Sequence, residues 1–198
     1  MILTVDIGNT ATTMGLYTPE GTLRFRGALK TDKNKTQDQL AIDLLDMFHL
    51  YQADIGEVTG GVISSVVPPM THAMAGAIRQ LSGVRPMIVG PGVKTGMNIL
   101  AEVHNQLGAD IVASSVAALQ KYPQPIIVID MGTATTLSYL GNNTYEGCVI
   151  IPGVRIAVEA LSGRAAELPH ISIEEPPSVF GRSTIDAMRC LLYTSRCV

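Results

Sequence analysis

Short apolar runs alternate with turn-forming clusters along the chain, and two of the runs lead into nearly the same polar turn. Ile2-Leu3-Thr4-Val5 precedes Asp6-Ile7-Gly8-Asn9-Thr10-Ala11-Thr12-Thr13, and Ile126-Ile127-Val128-Ile129 precedes Asp130-Met131-Gly132-Thr133-Ala134-Thr135-Thr136. Both leading runs are β-prone, and strand-like residues follow both turns. After the first copy, Pro19-Glu20-Gly21 marks a turn and Leu23 to Leu29 alternates, which predicts a β-meander. Leu40, Leu44, Met47 and Phe48 at helical spacing predict a helix over 36–50, with Thr36 as its cap. A buried strand over 58–65 is expected to end at Pro68-Pro69, followed by a helix over 70–81 and a short strand over 87–89.

Gly90-Pro91-Gly92 opens a stretch that reads as loop to about Gln106. A helix over 107–122 follows, with Ile111, Val112, Val116 and Leu119 as its apolar stripe, stopped by Pro123-Gln124-Pro125. The second meander covers 126–130, 135–140 and 145–151, with Asn142-Asn143 as a hairpin turn. Helices over 154–162 and from about Ser183 to Arg189 complete the reading, with a loop over 169–177 between them. Strand, Asp-Gly turn, strand, strand and then helix therefore occur twice. Ligands in such α/β lobes sit in the crevice beyond strand ends.

Composition narrows the class. The chain has 198 residues, is 46% hydrophobic and 16% charged, and carries a net charge of −3 without a basic run. That balance argues against nucleic acid or an anionic membrane as partner. No apolar run approaches the ~18 residues of a membrane span, and the N-terminus lacks the pattern of a secretory signal. Cys148, Cys190 and Cys197 show no metal-binding spacing, which suits a reducing cytoplasm.

An acid, a glycine turn and hydroxyls between two strands can hold a phosphate and its metal. Glycine lets backbone N–H groups approach an anion, and the carboxylate holds a cation or its water shell. Asp6 or Asp130 alone would read as a turn cap; the duplication favours the phosphate reading. Asp110, by spacing alone, reads as a first-turn acid complementing a helix dipole. Lys94, in a glycine-rich loop, reads as a solvated loop residue, with phosphate binding as the alternative. His49, His72, His104 and His170 show no ligand spacing, Glu174-Glu175 reads as a solvated turn, and Arg164 or Arg182 is free to pair with a nearby acid.

The duplication resembles the actin, sugar-kinase and heat-shock ATPase superfamily. More closely, residues 1 to 189 resemble the type III pantothenate kinases. The likeness rests on Asp6-Ile7-Gly8-Asn9-Thr10, Ile63-Ser64-Ser65-Val66-Val67-Pro68, Gly90-Pro91-Gly92-Val93-Lys94-Thr95-Gly96 and Gly108-Ala109-Asp110. It continues through Asp130-Met131-Gly132-Thr133-Ala134, Ile151-Pro152-Gly153, Leu161-Ser162-Gly163-Arg164 and Gly181-Arg182-Ser183-Thr184. All occur in the family's order.

The resemblance implies an α/β fold of duplicated actin-like (ribonuclease H-like) lobes with an interlobe cleft. The expected lobes are 1–106 and an incomplete 107–189. It implies ATP-dependent phosphorylation of pantothenate, the first step of coenzyme A synthesis, by a cytoplasmic homodimer using Mg²⁺ and K⁺ or NH₄⁺. Asp110 would be the proton acceptor. Asp6, Ile7, Gly8, Asn9, Thr10, Ala11, Thr12, Thr13 and Thr133 would contact ATP. Gly108, Ala109, Asp110, Ile111 and Thr184 would contact pantothenate. Asp130 would hold the monovalent cation and Asp6 the Mg²⁺. With no lysine in either acidic turn, metal ions are expected to carry much of the neutralisation.

Departures from the family pattern are Ile111 where arginine is common, Ala101 where tyrosine is common, and Gly147-Cys148 for a double glycine. The tail 190–198 does not resemble the family's continuation. It is read as a truncation or sequencing scar that leaves apolar faces of the second sheet uncovered. Another small-molecule kinase on this scaffold, or a catalytically weak nucleotide-binding regulator, remain the rival readings.

Overall fold

The computed structural model describes residues 1–100 and 107–190. The expectations for Ala101, His104, Cys197 and the tail beyond Cys190 lie outside the described residues.

Strand β1 (Ile2–Ile7) sits at the centre of a five-stranded sheet with β2 (Ala11–Tyr17), β3 (Leu23–Lys30), β4 (Gly60–Ser65) and β5 (Met87–Ile88), in the order β3-β2-β1-β4-β5. β1 runs antiparallel to β2 and parallel to β4. Successive strand side chains point to opposite faces, so Leu3, Val5 and Ile7 share one face with Met14, Leu16 and Ile63 and are buried there. Helices α1 (Gln37–Leu50) and α2 (Pro68–Ser82) cover that face with Leu40, Leu44, Phe48, Met70, Met74 and Ile78. Thr36 does cap α1, in a full capping box with Gln39. Pro68 and Pro69 begin α2 rather than merely ending the strand, because proline at the first helical positions forfeits no internal hydrogen bond. Leu44 has no exposed surface. Leu44→Ala should therefore destabilise the chain by about 2–5 kcal/mol, read as a lower urea midpoint at unchanged slope.

The stretch expected to be loop to Gln106 contains one further strand, β6 (Asn98–Ile99), parallel to β9. Two residues are too few to show alternation. The strand exists because Asn98 and Leu100 donate their N–H groups to the carbonyls of Asn143 and Tyr145.

Helix α3 (Ala109–Lys121) and the meander β7 (Ile126–Met131), β8 (Ala134–Gly141) and β9 (Thr144–Pro152) form the second half, in a sheet ordered β6-β9-β8-β7. Asn142 and Asn143 both take positive φ, as a two-residue hairpin turn requires. Ile111, Val112, Val116 and Leu119 of α3 pack on Leu140, Tyr145, Ile126 and Val128. Helices α4 (Val154–Arg164) and α5 (Thr184–Arg189) follow, and Ser183 caps α5. Glu174 is not simply solvated: it pairs with Arg189 at 2.8 Å and ties its loop to α5.

The two sheets repeat the same meander but differ at its edge. β1 has β4 beside it, whereas β7 has no neighbour on that side among the described residues. Ile127, Ile129 and Val149 are 64%, 56% and 58% exposed, so among the described residues this face of the second sheet carries exposed apolar side chains.

Candidate active site

The first turn is built by its own strand ends and a brace. Asp6 follows Val5 and precedes Ile7, so the two-residue period places it on the face away from the core. Gly8 N–H donates to the Ala11 carbonyl at 3.0 Å and closes the turn. The segment after β3 braces it. Thr31 donates its N–H to the Thr10 carbonyl at 3.0 Å and its hydroxyl to the Gly8 carbonyl at 2.7 Å. The Thr12 hydroxyl is buried and bonds Thr31 at 3.0 Å, so it supports the turn from within rather than facing the cleft. Asn9 and Thr10 stay exposed.

The second turn is built in the same way but is one residue shorter. Asp6 pairs in register with Thr13 across its hairpin, and Asp130 pairs with Thr136. Gly132 N–H donates to the Ala134 carbonyl at 3.0 Å, and Gly153, at the start of α4, donates to the Thr133 carbonyl at 3.1 Å. A methyl group at Gly153 would collide with the carbonyl oxygens of Gly132 and Thr133. Those oxygens belong to backbone and cannot swing aside. Gly153→Ala should cost about 1–3 kcal/mol, the scale of overpacking, and its thermal midpoint should fall accordingly. The hydroxyls of Thr10 and Thr133 meet at 2.9 Å, so the two turns touch across the lobes.

Helix α3 brings the third acid. Gly108 precedes its first turn, and a side chain there would strike the Asp110 carboxylate. Asp110 Oδ1 accepts the Ile111 N–H at 2.8 Å, consistent with the helix-start role that spacing alone suggests. Asp110 also lines a cavity of about 370 Å³ with Asp6, Asp130, Thr13, Ser64 and Ser114. Ile111 points elsewhere, into the second core cluster. Thr184 is exposed at the start of α5 and does not line this cavity. Lys94 is exposed in the glycine loop and borders a separate cavity on another side of α3, with Leu107, Ala109 and Val112.

Partial desolvation by the surrounding cleft is the largest cause holding the Asp6 carboxyl above the ordinary aspartate value, although the residue keeps an exposed surface. The Ser64 hydroxyl opposes the shift, and the charges of Asp110 and Asp130 reinforce it. Such a site gains from a cation. Among the described residues no group of three His, Cys, Asp or Glu side chains is close enough to cage a metal. The donor set instead suits an ion that keeps waters and takes one or two carboxylates plus phosphate oxygens.

Sequence reasoning missed Lys33. It lies in the brace, and its ammonium donates to Asn9 Oδ1 at 3.2 Å. No local signal pointed to it, because only the fold carries the end of β3 back to the first turn.

Comparison with known proteins identifies the family and the fold. Residues 2–194 match the family model described as type III pantothenate kinase. A type III pantothenate kinase of Listeria welshimeri is 40% identical over 194 residues, covering 98% of this chain and 74% of the relative. Among solved structures, a putative Baf family transcriptional activator from Campylobacter jejuni aligns with TM-score 0.59 at 16% identity, over 98% of this chain and 75% of that one. A putative 2-dehydro-3-deoxygalactonokinase from Sinorhizobium meliloti aligns with TM-score 0.56 at 13% identity, over 96% of this chain and 76% of that one. These two likenesses bear on the fold alone, an α/β fold with two sheets that this chain shares with the putative sugar-acid kinase.

Proposed function

We infer the function from the premise that this chain belongs to the type III pantothenate kinase family. The activity is ATP-dependent phosphorylation of pantothenate, the first step of coenzyme A synthesis. One observation carries the reading. Asp6, Asp110 and Asp130, from three separated segments, line one cavity, and the hydroxyl-bearing turns beside two of them touch.

In this reading the two turns hold the nucleotide phosphates. The N–H groups of the first turn and the exposed Asn9 and Thr10 face the phosphates, and Thr133 contributes from the other lobe. The phosphates would take the place of the direct Thr10–Thr133 contact. Ile7 and Thr12 serve from beneath, through backbone and buried hydrogen bonds. Asp110 accepts the proton of the primary hydroxyl of pantothenate as that oxygen bonds to the γ-phosphorus. The bond from the γ-phosphorus to the bridging oxygen breaks, and ADP leaves.

Gly108 and Ala109 form the start of α3 that presents Asp110 to the substrate; Ala109 itself is buried and faces the separate cavity. A divalent ion, Mg²⁺ in our reading, would be held by Asp6 and a monovalent one, K⁺ or NH₄⁺, by Asp130. When bound they supply positive charge to offset that of the phosphates. We place the enzyme in the cytoplasm as a homodimer, with Thr184 reaching pantothenate from the partner subunit. No helix among the described residues is long and apolar enough to cross a membrane.

The test is pantothenate-dependent ADP release with ATP, Mg²⁺ and K⁺. Release with pantothenate but not with acetate or hexoses is expected. A folded chain that releases no ADP would overturn the reading. Asp130→Ala should abolish the response to potassium, and an unchanged potassium titration would remove Asp130 from that role.

A further inference from the structure

We propose that Lys33 is a further ligand of the nucleotide's terminal phosphates, reaching the first turn from outside it. The proposal rests on reading the cleft as an ATP site. Lys33 lies between β3 and α1, in a segment fastened to the first turn by Thr31 through two hydrogen bonds. Its ammonium lies 3.2 Å from Asn9 Oδ1, and Asn9 is one of the turn's exposed side chains. Thr31 therefore fixes the backbone that delivers the lysine, and Asn9 marks where the ammonium rests.

The charges nearby leave Lys33 uncommitted. Lys35, two positions on, is paired with Asp43 at 2.6 Å. The carboxylate of Asp32 accepts the Asn34 N–H at 3.0 Å. Lys33 has no ion-pair partner among the described residues. One bond to a neutral amide oxygen leaves its charge uncompensated and two of its three donors unused. The cavity beside the turn is lined by Asp6, Asp110 and Asp130, so a polyanionic ligand there needs protein cations as well as metal; Lys33 is not in that lining and approaches the ligand from the Asn9 side of the turn. A lysine delivered as a point charge to a glycine turn meets that need. On this proposal the brace adds a protein cation, which neither acidic turn contains, to the metal ions expected to carry much of the neutralisation.

The experiment measures binding of a non-hydrolysable ATP analogue, ADP and AMP to the full chain without pantothenate, for the wild type, Lys33→Met and Lys33→Arg. Lys33→Met should weaken the ATP analogue roughly tenfold, as expected for a lost hydrogen bond to a charged group. ADP should weaken less and AMP not at all, and Lys33→Arg should recover most of the loss. In steady state the KM for ATP should rise while the KM for pantothenate stays unchanged. Equal losses for ATP analogue, ADP and AMP would show that Lys33 only positions Asn9, and no loss would remove it from the site; either result overturns the proposal. A wild type that binds no nucleotide would instead overturn the reading of the cleft, so the two failures are separable.

Discussion

Asp110→Asn is expected to keep nucleotide binding while losing at least ~100-fold in turnover, the scale of a positioned general base. The substitution preserves shape and keeps an oxygen that can accept the Ile111 N–H, a bond made at 2.8 Å in the parent. It removes the capacity to take a proton. It also removes a negative charge from the first turn of α3, where such a charge stabilises by ~0.3–1 kcal/mol. A small drop in thermal midpoint should therefore accompany the large drop in turnover. The two readouts separate the helix-start role of Asp110 from its chemical one. Near-normal ADP release, with or without the stability loss, would leave only the helix-start role.

The second large effect is expected at Asp6, in opposite directions for activity and stability. Partial desolvation and, more weakly, the like charges of Asp110 and Asp130 outweigh the Ser64 hydrogen bond and hold the folded pKa of this still-exposed carboxyl above the unfolded one. The folded state then binds the proton more tightly than the unfolded chain does. The penalty is absent at low pH, where both states are protonated. It grows as pH rises through the unfolded and then the folded pKa, and is complete at neutral pH. Asp6→Asn removes it. The variant's thermal midpoint should exceed the wild type's at neutral pH, and the difference should vanish toward acid. Turnover should fall about 100-fold, the scale of losing one electrostatic element of a reaction centre. A midpoint equal to or below wild type at neutral pH would contradict the electrostatic account. Unaffected turnover would take Asp6 out of the metal and phosphate role. Sites that destabilise a fold in exchange for function behave in this way.

Much of the fold was legible because its signals are local. The alternation of Leu3, Val5 and Ile7 defines a strand face, and the spacing of Leu40, Leu44, Met47 and Phe48 defines a helix stripe. Thr36 and Asn142-Asn143 act within a few residues of themselves, as caps and turns do. The exceptions are the features that depend on distant backbone. β6 is two residues long and exists by bonding β9. The bridge from Glu174 to Arg189 follows from how one loop folds onto α5. Thr12 looked like a phosphate donor because hydroxyls repeat in that turn, but the strand period sends its side chain inward to Thr31.

For the candidate site the division has the same cause. The duplicated Asp-x-Gly turns, the family motifs that contain them and the choice of Asp110 are properties of the sequence by itself. They specify residue type and local geometry, and with them the kinase assignment. That Asp6, Asp110 and Asp130 line one cavity, and that Thr10 meets Thr133, was decided only when two sheets and α3 packed together. The same packing places Lys33 against Asn9. Charge repulsion and hydrogen bonding depend on distance through space, and distance between separated segments is set by the fold.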